Sequence, residues 1–328
     1  MTPDLPRDFL QPPDLSAELE SLLRQVPSGC VTSFGDLAEA LGDLTAARWV
    51  ATELLRLDPQ LFPVHRVVRR TGIVAGTKSL SLESRTERLK LEGIPLVDGR
   101  VDLAASGWRA FLGSRPLAHL RDLQVQLGGR IKLNPLAKLP PRIAGVDVSY
   151  AGEHLGVAAY TIVESATGRL LHSETWAGET PFPYIPGYLS FRELPLYWRL
   201  LEQVRAAGRM EHVVLVDGNG ILHPRRAGIA SMLGAVANLI TVGVSKHLLC
   251  GKIVDHPRSP APIVSAEGTL LGYRFLGKSA RSVWYVSPGQ GIDFEGAWQV
   301  ASSQMFGHRL PEPIYQADRL SRTAARSL

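Results

Sequence analysis

Residues 143–178, IAGVDVSYAGEHLGVAAYTIVESATGRLLHSETWAG, decide the fold. They divide into three strand-like runs, IAGVDVSY (143–150), HLGVAAYTIVE (154–164) and LLHSETWAG (170–178), separated by Gly-bearing turns. Consecutive β-rich runs with short turns between them read as antiparallel strands. Downstream the pattern alternates. Residues 190–206 read as a helix, HVVLVDGNG (212–220) as a buried strand, GIASMLGAVANL (228–239) as a helix and ITVGVSK (240–246) as a strand. RSVWYVSPG (281–289) gives a further strand and FEGAWQVASSQM (294–305) a helix. A three-strand meander followed by helix–strand alternation predicts an α/β fold, a mixed sheet with flanking helices.

Upstream of this stretch, LAHLRDLQVQLGGRI (117–131) reads as a helix, and ASGWRAFLGSRPLAHL holds a domain boundary near 104–112. The expected division is 1–105 and 106–328. In the first part, LSAELESLLRQ (15–25) has helical leucine spacing. VPSGCVTSFGDLAEALG (26–42) gives a turn, a short extended piece and a helix with Ser33 as N-cap and Gly42 as its stop. TAARWVATELLRL (45–57) is a second short helix, so the pair reads as a helix-turn-helix. HRVVRRTGIVAG predicts two short strands around a Thr-Gly turn, a wing, and RTERLKLEGIPL (85–96) a closing helix.

A chain of 328 residues exceeds the usual single-domain size, which agrees with two domains. The 45% apolar and 20% charged composition suits globular cores. No apolar run approaches the ~20 residues of a membrane span, and MTPDLPRDFLQPPD lacks the apolar segment of a secretory signal. Cys30 and Cys250, far apart in sequence, exclude a disulfide framework, and a cytoplasmic location is expected. The net charge of +5 is uneven: residues 1–110 carry 13 Lys/Arg against 15 Asp/Glu, the rest 23 against 16. The second part is therefore the better general polyanion binder.

Four acids in that part draw notice. Asp147 lies late in the first strand, Asp217 ends the fourth, Glu193 begins a helix and Asp318 lies near the C-terminus in PEPIYQAD. Strand ends of α/β sheets open onto the site crevice. Unpaired carboxylates gathered there repel one another, and a hard divalent cation removes that cost. Two such ions can activate water and stabilise the leaving oxygen of a phosphodiester. Taken singly, these acids equally read as caps, turn residues or surface charges. PFPYIPGYLSFRELP (181–195) surrounds Glu193; its prolines stiffen Tyr184, Ile185 and Pro186 into an apolar protrusion of the kind that wedges between base steps, or into a connection packed on the core.

IAGVDVSY, PYIPGYLSFRELP, VDGNGILHPRRAGIASMLG, TVGVSK and RLPEP, in that order, resemble endonuclease V over roughly residues 112–328. The resemblance implies an RNase H-like fold and Mg²⁺, with Mn²⁺ as the alternative ion. It implies hydrolysis of a phosphodiester bond 3′ of deaminated purines, above all hypoxanthine, leaving 5′-phosphate ends. It assigns Asp147, Glu193, Asp217 and Asp318 to metal binding and Tyr184, Ile185 and Pro186 to a strand-separating wedge. It places Lys246 beside the scissile phosphate, where an ammonium screens charge built in the transition state. Gly218 and Gly220 would let backbone amides approach a flipped base, and His223, Arg225 and Arg226 would contact phosphate or base. Gln290 stands where the resemblance leads one to expect histidine.

Residues 15–103 resemble the DNA-binding domain of O6-alkylguanine-DNA alkyltransferases, through VPSGCVTSFGDLAEALG, AARWV, PVHRVVRRTG and LEGIPL. That family's acceptor cysteine falls at Val64, between Pro63 and His65, and valine has no thiolate to take an alkyl group. The implied relatives are alkyltransferase-like proteins that bind alkylated guanine without repairing it. Arg48 corresponds to the finger that fills the gap of a flipped nucleotide, and Phe34 to the tyrosine that helps rotate it. Val64 would line the lesion pocket, with His65 and Arg66 beside it. The expected partner is double-stranded DNA with deaminated or alkylated bases, with single-stranded DNA or RNA as the alternative. Two rival functions stand beside the repair nuclease: an inosine-specific endoribonuclease and a non-catalytic lesion-marking protein.

Overall fold

The structure, a computed structural model, describes residues 7–76, 80–254, 259–276 and 283–328. These form two compact units. One comprises Pro13–Asp122 with Phe182–Pro186; the other holds Leu123–Pro181, Gly187–Leu328 and the segment ending at Pro12.

In the first unit, α1 (Leu15–Arg24) starts at Asp14, whose carboxylate accepts from Ser16 N and Ala17 N, and buries Leu15, Leu19, Leu22 and Leu23. Strand β1 (Thr32–Ser33) runs into α2 (Phe34–Leu41). Ser33 and Asp36 cap this helix reciprocally, a capping box. Gly42 ends it at φ 109°, where a side chain would also strike Ala118. A 3-10 turn, Leu44–Ala46, precedes α3 (Ala47–Glu53), which is shorter than expected from the sequence. Then follow β2 (Val67–Val68), α4 (Leu82–Leu91), α5 (Leu103–Ser106) and α6 (Pro116–Gly128). Helix α4 begins earlier than expected because Ser81 caps it, and stops short of Gly93, φ 77°. Val31, Val68, Val74, Leu89, Ile94 and Val101 form the local core.

The expected wing is not a two-strand hairpin. Val67 and Val68 pair instead with Thr32 and Ser33 in parallel, and Ile73 makes an isolated bridge to Arg100. The division between units falls inside α6, between Asp122 and Leu123, and not at 105/106. Residues 106–122 are held by the first unit's own bonds: Val31 N to Ser106 O, Trp108 N to Val31 O, Leu112 N to Gln25 Oε1 and Arg109 to Asp36.

The second unit contains β3 (Arg142–Ala151), β4 (Leu155–Glu164), β5 (Leu170–Glu179), α7 (Leu189–Ala206), β6 (Val213–Asp217), α8 (Ile229–Ala237) and β7 (Ile240–Ser245). It continues with β8 (Lys252–Ile253), β9 (Ala261–Val264), β10 (Leu270–Leu276), β11 (Val283–Gln290), α9 (Phe294–Ser303) and α10 (Glu312–Ala325). One mixed sheet orders the strands β5-β4-β3-β6-β7-β11-β10-β9-β8. β3, β6 and β7 are parallel neighbours, and the flanking pairs are antiparallel. The core includes Ile143, Leu215, Val242, Trp284, Val286, Val300 and Ile314. Helix α10, which the sequence reading did not identify, buries Ile314, Ala317, Ser321 and Ala325 at helical spacing. It lies close to the sheet because Gly145 leaves room for the Pro313 backbone, and Thr161 Oγ1 donates to Pro313 O at 2.8 Å.

Candidate active site

Register brings the acids together. β3 pairs with β6 in parallel, Val146 beside Val216, so the next residues, Asp147 and Asp217, are neighbours. β6 pairs with β7 with Asp217 beside Val244, so Lys246, two residues on, reaches the same face. Asp318 comes from α10, at the margin of its buried stripe. One carboxylate oxygen from each of Asp147, Asp217 and Asp318 lies within 4.8 Å of the others. Lys246 Nζ donates to Asp217 Oδ2 at 2.6 Å and to Asp318 Oδ1 at 3.5 Å. Arg322, one turn beyond Asp318, contacts its Oδ1 at 2.8 Å.

Glu193 stands beside this trio rather than within it. Its carboxyl is buried in the first turns of α7 and accepts from Tyr150 OH at 2.8 Å. Burial pushes the Glu193 carboxyl up to about 8; the Tyr150 bond opposes that, and the charge of Asp217 adds to it. Asp147 is driven well above the usual carboxylate range, first by burial and then by Asp217, with Asp318 and Glu193 adding to it. Ser321 opposes this, donating to Asp147 Oδ2 at 2.7 Å and tying α10 to β3. Burial pulls the Lys246 ammonium down, but Asp217, Asp318 and Asp147 outweigh it and the net shift is upward. Repulsion among four acids, with small oxygen donors on one side, fits a hard divalent cation.

Other residues singled out in the sequence are placed differently. His223 is buried, its Nδ1 accepting from Arg225 N at 3.2 Å and its Nε2 lying 3.3 Å from Gly187 O. Arg225 donates to Gln124 Oε1 and Gly187 O and lies over the Tyr188 ring. Both are internal struts, not free contacts for phosphate or base; Arg226 alone of the three is exposed. The amides of Gly218 and Gly220 are also engaged, with Val244 O and Ser287 Oγ. These glycines are required instead for close packing: a side chain would strike Ile229 at Gly218 and the Pro288 backbone at Gly220. Of the three wedge residues in the Pro-rich loop, Tyr184 is 64% exposed and Pro186 is exposed, but Ile185 is fully buried. Gln290 Oε1 accepts from Lys132 N at 2.9 Å, and the Gln290 backbone N–H donates to Thr241 Oγ1.

In the first unit Arg48 is exposed in the first turn of α3, and Phe34 is half-buried. Val64 is 6% exposed and carries no polar atom on its side chain. His65 Nε2 lies 2.8 Å from Glu92 Oε1, and Arg66 is bonded to both Glu92 oxygens and to Val26 O. Burial lowers the His65 pKa despite Glu92. Arg85, buried, donates to the carbonyls of Val64, Val67 and Ala75 and so fixes the Val64 loop. Sequence reasoning missed Glu92, Arg85, Ser321, Tyr150 and Arg322. Glu92 lay in the quoted LEGIPL, Arg85 at the head of RTERLKLEGIPL and Tyr150 at the end of IAGVDVSY; Ser321 and Arg322 had no local signal.

An acid-lined centre where parallel strands meet on a mixed sheet, with a lysine over it, defines a nuclease of the carboxylate class. Residues 125–319 match the family described as Endonuclease V, and residues 15–94 match the DNA-binding domain of 6-O-methylguanine DNA methyltransferase. A Picrophilus torridus protein named bifunctional methyltransferase/endonuclease is 34% identical over 88% of this chain and 89% of its own length. Endonuclease V of Ignicoccus hospitalis is 38% identical over 57% of this chain and 83% of its own. The catalytic domain of human endonuclease V superposes with a TM-score of 0.59 at 29% identity, covering 66% of this chain and 98% of that one. Ciona intestinalis endonuclease V, solved with a 23-mer DNA containing an inosine followed by a ribo-adenosine, gives 0.58 at 25%, over 66% of this chain and 99% of that one. The chain belongs to the endonuclease V family and joins that nuclease to a methyltransferase-type DNA-binding domain.

Proposed function

We propose that residues 123–328 incise DNA 3′ of deaminated purines, and that Asp147, Asp217, Asp318 and Glu193 hold Mg²⁺ for that reaction. The observation that carries the reading is the convergence of the three aspartates with Lys246 above them. Bound there, the ion would polarise a phosphate oxygen and favour an attacking hydroxide. Lys246 screens the phosphate's growing negative charge, and Asp217 and Asp318 hold its ammonium in place. Ser321 and Tyr150 orient the carboxylates of Asp147 and Glu193. Tyr184 and Pro186 supply the outward part of the wedge, and Ile185 anchors it.

Residues 13–122 serve as a reader of altered purines rather than as a transferase. On this reading Val64 stands at the acceptor position, and valine offers no nucleophile. His65, Arg66 and Glu92 keep the loop's shape, and exposed Arg48 is the residue that enters the duplex.

The test is nicking of a short inosine-bearing duplex in Mg²⁺, with deoxyadenosine or ribo-adenosine 3′ of the lesion, by wild type and Asp217→Ala. Wild type cuts and the variant loses at least about a thousandfold in rate, as expected when charge stabilisation at the reacting phosphate is removed. Equal cutting by both removes the proposal. A full-chain Arg48→Ala variant, compared on O6-methylguanine and unmodified duplexes, tests the reader: loss of preference supports it, unchanged preference refutes it.

A further inference from the structure

Tyr197 is a large buried side chain with no part in the proposed reaction. It is fully buried on α7, and among the described residues its hydroxyl has no hydrogen-bond partner. An orphan hydroxyl in a protein interior is costly and is retained where something else answers it. Tyr197 follows Glu193 by four residues on α7, so the two share a helix face. Helical side chains lean toward the N-terminus, which inclines the ring over the turn that carries Glu193. Tyr150 already donates to Glu193 Oε1 from β3. Burial, with the charges of Glu193, Asp147, Asp217 and Tyr150, drives the Tyr197 hydroxyl well above its usual pKa, so it keeps its proton and remains a donor.

We infer that Tyr197 is a second positioning residue of the acidic centre, its hydroxyl held in reserve to donate to a carboxylate when that carboxylate turns to bind the cation. The inference rests on the proposed metal-dependent reading of the site. The donor costs stability in the metal-free protein and returns it as metal affinity. Tyr150, whose hydroxyl is already bonded, serves as the contrast.

The experiment compares wild type, Tyr197→Phe and Tyr150→Phe in full-length protein, with two readouts. In EDTA, thermal unfolding of Tyr197→Phe should occur roughly 2–4 °C above wild type, because an unsatisfied buried hydroxyl is removed, while Tyr150→Phe should unfold below it. Mn²⁺ binding, followed by electron paramagnetic resonance, should weaken about tenfold or more in Tyr197→Phe, the range for residues that orient metal ligands. Unchanged Mn²⁺ affinity in Tyr197→Phe, or a lowered Tm in EDTA, overturns the inference. Wild type that binds no Mn²⁺ and makes no nick overturns the metal-dependent reading as well, so the two failures are distinct.

Discussion

Lys246→Met tests whether the acidic centre is a charge-balanced cation site. The ammonium lies 2.6 Å from Asp217 Oδ2 and 3.5 Å from Asp318 Oδ1. At an effective dielectric of ~20 these contacts carry roughly 5–6 kcal/mol of gross attraction each. Desolvating the partners offsets most of that. The lysine side chain is 30% exposed, so the net loss falls to about 2 kcal/mol, below the ~3–5 of a fully buried pair that loses one member. Methionine keeps the length and the apolar stem, so charge is the main change. In EDTA the variant should unfold roughly 4–8 °C below wild type. In excess Mg²⁺ the gap should shrink to less than half, because a divalent cation then balances the carboxylates. In that excess Mg²⁺ nicking should still fall steeply, although the stability gap has narrowed. Equal Tm values in EDTA, or equal stabilisation of both proteins by Mg²⁺, would refute the reasoning.

Two further outcomes follow from the packing around this centre. Gly145→Ala places a methyl group against the Pro313 backbone, so the start of α10 must move and Asp318 with it. Stability should drop by about 1–3 kcal/mol and nicking should fall with it; an unchanged Tm would show that α10 yields freely. His223 is held neutral by burial, with the charge of Arg225 adding to the effect and the Gly187 contact opposing it, and its pKa falls to about 4. The unfolded chain takes up that proton first, near pH 6.5, so the stabilisation is whole above that value and is lost as pH falls toward 4. Urea unfolding of wild type should lose about 2 kcal/mol more than His223→Gln between pH 7 and pH 5; parallel losses would contradict it.

Much of the site was legible in the sequence because β-strand chemistry is local. Asp147 and Asp217 follow apolar runs whose length and branching mark buried strands, and parallel pairing of those strands makes the acids neighbours. Lys246 closes the next such run. The capping box at Ser33 and the left-handed Gly42 were readable for the same reason, since caps are set by residues within one turn. Glu193 was found through its motif, but its separation from the aspartate trio was not foreseeable, because it depends on where α7 lies against the sheet.

Sequence by itself determined the nuclease fold class, the helical start of the first unit and the absence of a thiol at Val64. It could not determine what each polar group touches. His223, Arg225, Gly218 and Gly220 sit in one Gly-flanked loop and look accessible, yet tertiary packing turns them inward. Ser321 reaches Asp147 across 174 positions of chain, and Glu92 joins His65 and Arg66 from 27 and 26 positions away. The physical reason is reach: backbone hydrogen bonding and side-chain alternation act within a few residues, whereas charge balance and hydrogen-bond satisfaction are settled only when distant segments share one interior.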